Sequence, residues 1–158
     1  MKAHGPPKVK KRTNAKSHRP ASGLCERRQV AALPYRKTIF GQIEVLLITS
    51  RETGRFIIPK GWPMKGLSDA ESAAREAYEE AGVTGRIKPK RIGAYSYWKR
   101  LERTFELLNV DVYALDVKAQ HESWPERETR KFAWLSARDA AALIDEPELV
   151  TLIRTFRD

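Results

Sequence analysis

The 158-residue sequence predicts an α/β (α+β) sandwich, with helices packed on a curved mixed β-sheet. Three observations carry that expectation. Apolar, β-branched runs come first, a capped helical segment interrupts them, and a second helical segment lies near the end of the chain. A chain of this length suits one domain, since independent domains cluster near ~100–150 residues.

Residues 29–33, 44–49 and 56–58 are apolar and β-branched, and each run ends near Pro, Gly or charged residues, so they read as strands. Residues 92–97 and 106–116 follow. The second of these alternates Asn109, Val110, Asp111, Val112 and Tyr113, the period of a half-buried strand. The first helix opens at Ser68, where Ser68-Asp69-Ala70-Glu71 has the form of a capping box, and it closes at Gly82, a residue suited to the left-handed turn. A second helix opens at Ser136 and runs through Ala140, Ala141, Leu143 and Ile144. Residues 148–156, after Pro147, add a last helical turn or two.

The formal charge of +10 is unevenly spread. Residues 1–28 hold nine Lys and Arg against Glu26 alone, a net +8, and the rest of the chain carries only +2. Residues 1–26 are therefore expected to be a basic, disordered tail ahead of a domain spanning 27–158. A solvated tail and a weak contact with RNA or a polyanionic substrate are both open readings of that charge. No apolar run is long enough to span a bilayer, and the first residues lack the apolar core of a secretory signal, which points to the cytoplasm. A basic leader without acids also has the composition of an organelle transit peptide, but Pro6 and Pro7 disfavour an amphipathic helix there. Cys25 is the only cysteine, so no intrachain disulfide forms, and His4, His18 and His121 supply no zinc spacing.

On a helical wheel, residues 69–81 sort into distinct faces. Ala70, Ala73, Ala74, Ala77 and Ala81 share one side, which permits close approach to a sheet. Glu76, Glu79 and Glu80 share another at i, i+3, i+4. Three such carboxylates repel one another, and a hard divalent cation reverses the sign of that cost. Mg2+ takes oxygen ligands and is typically held by a few carboxylates together with substrate phosphates, and Mn2+ is an alternative. An ordinary solvated helix face would show the same short charge pattern.

The wider spacing decides between these readings. Gly61-x5-Leu67-x7-Arg75-Glu76-Ala77-Tyr78-Glu79-Glu80-Ala81-Gly82-Val83 resembles the Nudix box, G-x5-E-x7-R-E-U-x-E-E-x-G-U, in which U is a bulky apolar residue. The resemblance implies an αβα sandwich with the mixed sheet between helices, and hydrolysis of a nucleoside diphosphate linked to another moiety. Leu67 stands where the box has its first Glu, and Ala77 is smaller than usual. The missing Glu ordinarily orients the Arg of the box, and Glu71, four residues before Arg75, is the expected substitute. The same carboxylate is claimed by the capping box of Ser68.

The resemblance covers roughly residues 29–144. It is similar to the branch acting on diphosphoinositol polyphosphates and dinucleoside polyphosphates, through residues 55–62 (Arg55 to Trp62), Trp124-Pro125-Glu126 and residues 130–135. In that branch a backbone carbonyl ahead of the box, here that of Lys60, binds metal together with the first and last Glu, here Glu76 and Glu80, and the middle one, Glu79, is the base. Chemistry supplies the reason: the negative oxygens of a phosphoanhydride repel a nucleophile, so catalysis needs cations on them and a positioned water. Arg51, Lys60 and Arg36-Lys37 are the candidate phosphate clamps. Trp62, Tyr97 and Trp98 are candidates for stacking on a base, or else core and rim. Two rival functions remain: a nucleoside triphosphate or RNA 5′-end pyrophosphohydrolase, and a non-catalytic module that binds nucleotide or RNA.

Overall fold

The computed structural model describes residues 27–158, and the expectation of a disordered tail over residues 1–26 lies outside them. Among these described residues eight strands form one mixed sheet: β1 (Arg28–Lys37), β2 (Ile43–Thr49), β3 (Phe56–Ile57), β4 (Lys60–Gly61), β5 (Val83–Ile87), β6 (Gly93–Arg100), β7 (Phe105–Gln120) and β8 (Phe132–Ser136). Helix α1 (Asp69–Ala81) lies between β4 and β5, while α2 (Ala137–Leu143) and α3 (Pro147–Thr155) follow β8. The central path runs β3-β2-β1-β7-β5. Strands β1 and β7 pair in parallel, from Arg28 opposite Asn109 to Tyr35 opposite Asp116, and the other pairings are antiparallel.

Alternate residues of the central strands feed two apolar layers, which is why these strands read as nearly continuous apolar runs. Val30, Ala32, Leu46, Ile48, Tyr113 and Leu115 face Ala70, Ala73, Ala77 and Ala81 of α1. Ala31, Leu33, Val45, Leu47, Val110 and Val112 face Ala140, Ala141, Leu149 and Ile153 of α2 and α3. The result is the expected αβα sandwich.

Helix α1 is delimited as its sequence dictates. Ser68 Oγ accepts from the Glu71 N–H, the Glu71 carboxylate accepts from the Ser68 N–H at 2.7 Å, and Gly82 ends the helix at φ 69°. Strands β4, β5 and β8 were not expected. β5 lacks an apolar alternation and is held by pairing with β7 across a register shift between Thr84 and Gly85. β8 is half-exposed and is defined by its antiparallel pairing to β2, a long-range partner that no local pattern announces.

Candidate active site

The alanine face of α1 sets the site. Ala73, Ala77 and Ala81 have no exposed surface and bring the helix close onto the sheet, which turns Glu76 and Glu80 toward the loop ahead of it. That loop is fixed by β4, whose Lys60 and Gly61 pair with Ala31 and Val30 of β1. The Lys60 N–H donates to Glu80 Oε2 at 3.2 Å. Gly61 faces the Glu76 carboxylate so closely that an added Cβ would collide with it.

Glu80 is 7% exposed and accepts from Arg130 Nη2 at 2.9 Å through Oε1. Arg130 also donates to the Thr49 carbonyl at 3.0 Å and to Glu126 Oε1 at 3.4 Å, and the Glu126 N–H donates to the Glu79 carbonyl at 3.0 Å. Glu76 is half-buried and accepts no hydrogen bond among the described residues. Burial pushes its carboxyl up to about 7, with Glu79 and Glu126 repelling the charged form. Burial likewise pushes Glu80 up to about 7 against the pull of Arg130 and Lys60. The Lys60 ammonium is lowered by burial, and it lies 4.8 Å from the centre of the Tyr97 ring, whose hydroxyl donates to Gln29 Oε1 at 2.6 Å.

These groups line a cavity of about 380 Å³ whose walls carry Arg51, Arg55, Lys60, Lys99, Arg100 and Arg130 against Glu52, Glu76, Glu80 and Glu126. Two carboxyls whose charged forms are disfavoured by burial, beneath a rim of cations, suit a ligand that brings both a hard cation and negative oxygens. The donor set fits Mg2+ in kind, since it consists of oxygen atoms alone. Among the described residues no three carboxylates converge on a point: Glu79 is paired with Arg75, while Glu80 is held by Lys60 and Arg130 within the cavity.

Several expectations need correction. Glu71 does not touch Arg75: its carboxylate is spent on the capping box, and Arg75 Nε donates instead to Glu79 Oε1 at 2.9 Å. That i, i+4 pair also draws the Glu79 side chain away, so Glu79 does not line the cavity while Glu76 and Glu80 do. Arg36 and Lys37 lie at the far end of β1 from Gln29 and are bound to Glu44 and Asp158, which rules them out as clamps on this cavity. Arg51 and Lys60 do line it, Arg51 at 3.1 Å from Glu126. Trp62 and Trp98 sit at its rim, but the Trp62 ring is already covered by Arg27 and Lys99, at 4.6 and 5.2 Å.

Glu126, Arg130, Arg55 and Gln29 had no assigned role in the sequence. The i, i+4 spacing of Glu126 and Arg130 is visible there, but only the return of their loop onto α1 buries the arginine.

A family model described as NUDIX domain matches residues 26–156. The chain belongs to the Nudix family. It is 38% identical over 133 residues to Nudix hydrolase 21, chloroplastic, of Arabidopsis thaliana, covering 82% of this chain and 66% of that one. It is 34% identical over 104 residues to diphosphoinositol polyphosphate phosphohydrolase 2 of Rattus norvegicus, covering 64% of this chain and 54% of the relative. The chain thus spans about two-thirds or less of the length of these two relatives. A crystal structure of C. elegans Ap4A hydrolase shares the fold at a TM-score of 0.55 and 23% identity, over 80% of this chain and 92% of that one. In this Nudix protein the box runs from Gly61 of β4 through α1 to Val83 of β5, and Leu67, in the loop before α1, is exposed in the place of the first Glu. No helix among the described residues is long and apolar enough to cross a membrane.

Proposed function

We propose that this Nudix protein is a magnesium-dependent hydrolase that cuts a phosphoanhydride bond in a polyphosphorylated small molecule. The candidates are a nucleoside diphosphate derivative, a dinucleoside polyphosphate or a diphosphoinositol polyphosphate. The observation that carries this reading is the pair Glu76 and Glu80, a half-buried and a buried carboxyl that line one cation-rimmed cavity and are both pushed up to about 7. The names of the rat and nematode relatives support the substrate range.

Glu76, Glu80 and the Lys60 carbonyl would hold the cation, with Glu126 as a further carboxylate at the same wall. When bound, Mg2+ would offset the charge on the phosphate oxygens and make a nearby water more acidic. Arg51, Lys60 and Arg130 would bind those oxygens and orient the phosphate chain. Glu79 remains the proposed proton acceptor, since an exposed i, i+4 ion pair such as Arg75–Glu79 is weak and readily broken. Arg75 is proposed to govern when that carboxylate is free. The basic leader would add a salt-sensitive attraction for polyanions such as RNA.

Trp98, 65% exposed at the cavity rim, favours substrates with a base to stack on it, including the nucleoside triphosphates and RNA 5′ ends of the second reading. The deciding experiment assays diadenosine polyphosphates, nucleoside triphosphates, nucleotide sugars and inositol pyrophosphates with and without Mg2+. Absence of turnover on all of them would support a binding module instead. A cytoplasmic location is part of the proposal, and imaging of the tagged full chain sets it against the chloroplast named for the Arabidopsis relative.

A further inference from the structure

Glu146 is a buried carboxylate for which the chemistry above has no use. It occupies the N-cap of α3, yet its side chain makes no capping hydrogen bond. Its Oε1 lies instead 2.7 Å from Arg55 Nη1, and its side chain is 9% exposed against 30% for the arginine. The approach does not make a hydrogen bond, which leaves Arg55 Nη1 buried without a partner, and the other carboxylate oxygen, Glu146 Oε2, is buried without a partner as well. A buried ion pair this poorly satisfied is a weak source of stability, because desolvation of two charges offsets their attraction. Unsatisfied buried groups of this kind call for a reason other than folding.

The position of Arg55 supplies the reason. It stands immediately before β3, on the wall of the cavity that holds Lys60, Glu76 and Glu80. Arg51 and Arg130 are tied to Glu126 and Glu80, carboxylates that line the same cavity. Arg55 is tied to a carboxylate that does not line it and that belongs to the α2–α3 layer. A guanidinium carries five donors. Apart from its contacts with Asp145 and Glu146, the Arg55 side chain makes no hydrogen bond among the described residues. Its anchor is behind the wall, and its remaining donors are uncommitted.

We propose that Arg55 is a specificity-determining residue that binds a phosphate group of the substrate's polyphosphate chain, and that Glu146 is a positioning residue acting through it. The proposal rests on the cavity being the phosphoanhydride site. It adds a recognition element anchored in the helical layer opposite the Nudix helix. Loss of Arg55 should weaken ground-state binding of phosphate oxygens and leave the reacting groups in place, so the effect should fall on KM and spare kcat.

The test uses Arg55→Met, Arg55→Lys, Glu146→Gln and the double variant Arg55→Met/Glu146→Gln in the full chain. Binding of inorganic tripolyphosphate is measured by calorimetry with and without Mg2+, alongside kcat, KM and Tm. The expected result for Arg55→Met is binding weakened by about tenfold or more, KM raised in parallel and kcat nearly unchanged. Glu146→Gln should shift binding and KM in the same direction by a smaller factor, Arg55→Lys should recover part of the loss, and the double variant should bind no worse than Arg55→Met. A folded Arg55→Met with wild-type binding and KM would overturn the proposal. So would a Glu146→Gln that lowers Tm while binding normally, or a wild-type protein that binds no tripolyphosphate. If Arg55→Met fails to fold, Arg55→Lys and Glu146→Gln decide on the same readouts. A wild-type protein that binds tripolyphosphate through Arg55 but hydrolyses nothing would refute the hydrolase reading and leave this inference standing.

Discussion

Arg130 Nη2 donates to Glu80 Oε1 at 2.9 Å, and each of the two side chains is less than a tenth exposed. The box carboxylate therefore has a resident counter-ion contributed by a loop fifty residues further along the chain. Removing one partner of a buried pair leaves the other uncompensated, which typically costs about 3–5 kcal/mol. Arg130→Met should be destabilised by about that amount at alkaline pH and by less below pH 6, where Glu80 can take up a proton. Chemical denaturation at pH 6 and pH 9 measures the difference, and an equal loss at both would show that Glu80 is not the group left unpaired.

The raised carboxyls give a second expectation. Glu76 and Glu80 both stand at about 7 in the fold against an ordinary value of 4.5, with burial the first cause for each. Between those values the native state holds more protons than the unfolded chain, so these groups make the metal-free protein less stable as pH rises from about 4.5 to 7, with no further change above that. A cation must displace the same protons, so its affinity should rise with pH up to about 7, by up to tenfold per unit for each proton released. Melting curves in chelator and Mn2+ titrations across pH 5–8.5 test the two halves separately. An affinity independent of pH over that range would remove both carboxyls from the cation site.

Glu71 illustrates how one carboxylate can satisfy two sequence readings while the structure selects one. Its backbone and side-chain hydrogen bonds to Ser68 hold its pKa below the usual value, so whatever stability it supplies is present above that range and lost as pH falls through its lowered pKa. Glu71→Ala should lower Tm at neutral pH and leave kcat and KM alone. Combined with Arg75→Ala, it should leave that variant's turnover unchanged, because the two side chains do not meet. Strong non-additivity in turnover would restore the orienting role.

What was legible in the sequence and what was not divides along the distance over which the determinants act. The limits of α1 were legible because Ser68, Glu71 and Gly82 act within a turn of the residues they cap. The carboxylate face was legible because helical period alone places Glu76 beside Glu80. Arg36 and Lys37 misled because a strand has two ends, and only the register of β1 against β4 shows which end faces the box. Glu126, Arg130 and Glu146 were beyond local reading, since their burial depends on loops and a helix returning from distant parts of the chain to cover them.

Gly61 offers the sharpest test of the site's geometry. Its Cα faces the Glu76 carboxylate, and a methyl group added there would collide with Cδ and both oxygens of that side chain. The obstacle is the end of a flexible chain on a half-buried residue, not backbone, so the fold can accommodate Gly61→Ala by turning Glu76 aside. Tm should consequently change little, whereas cation affinity and turnover should fall together, since the carboxylate is displaced from the position it shares with Glu80. Glu76→Gln alone should cause a comparable loss by removing the charge. In the double variant Gly61→Ala/Glu76→Gln the second substitution should add almost nothing, because both act on the same ligand. Thermal melts, Mn2+ titration and turnover of the three variants would measure this directly. If Gly61→Ala binds Mn2+ as tightly as the wild-type protein, Glu76 is not held where the cavity requires it and the assignment of this carboxylate to the cation fails.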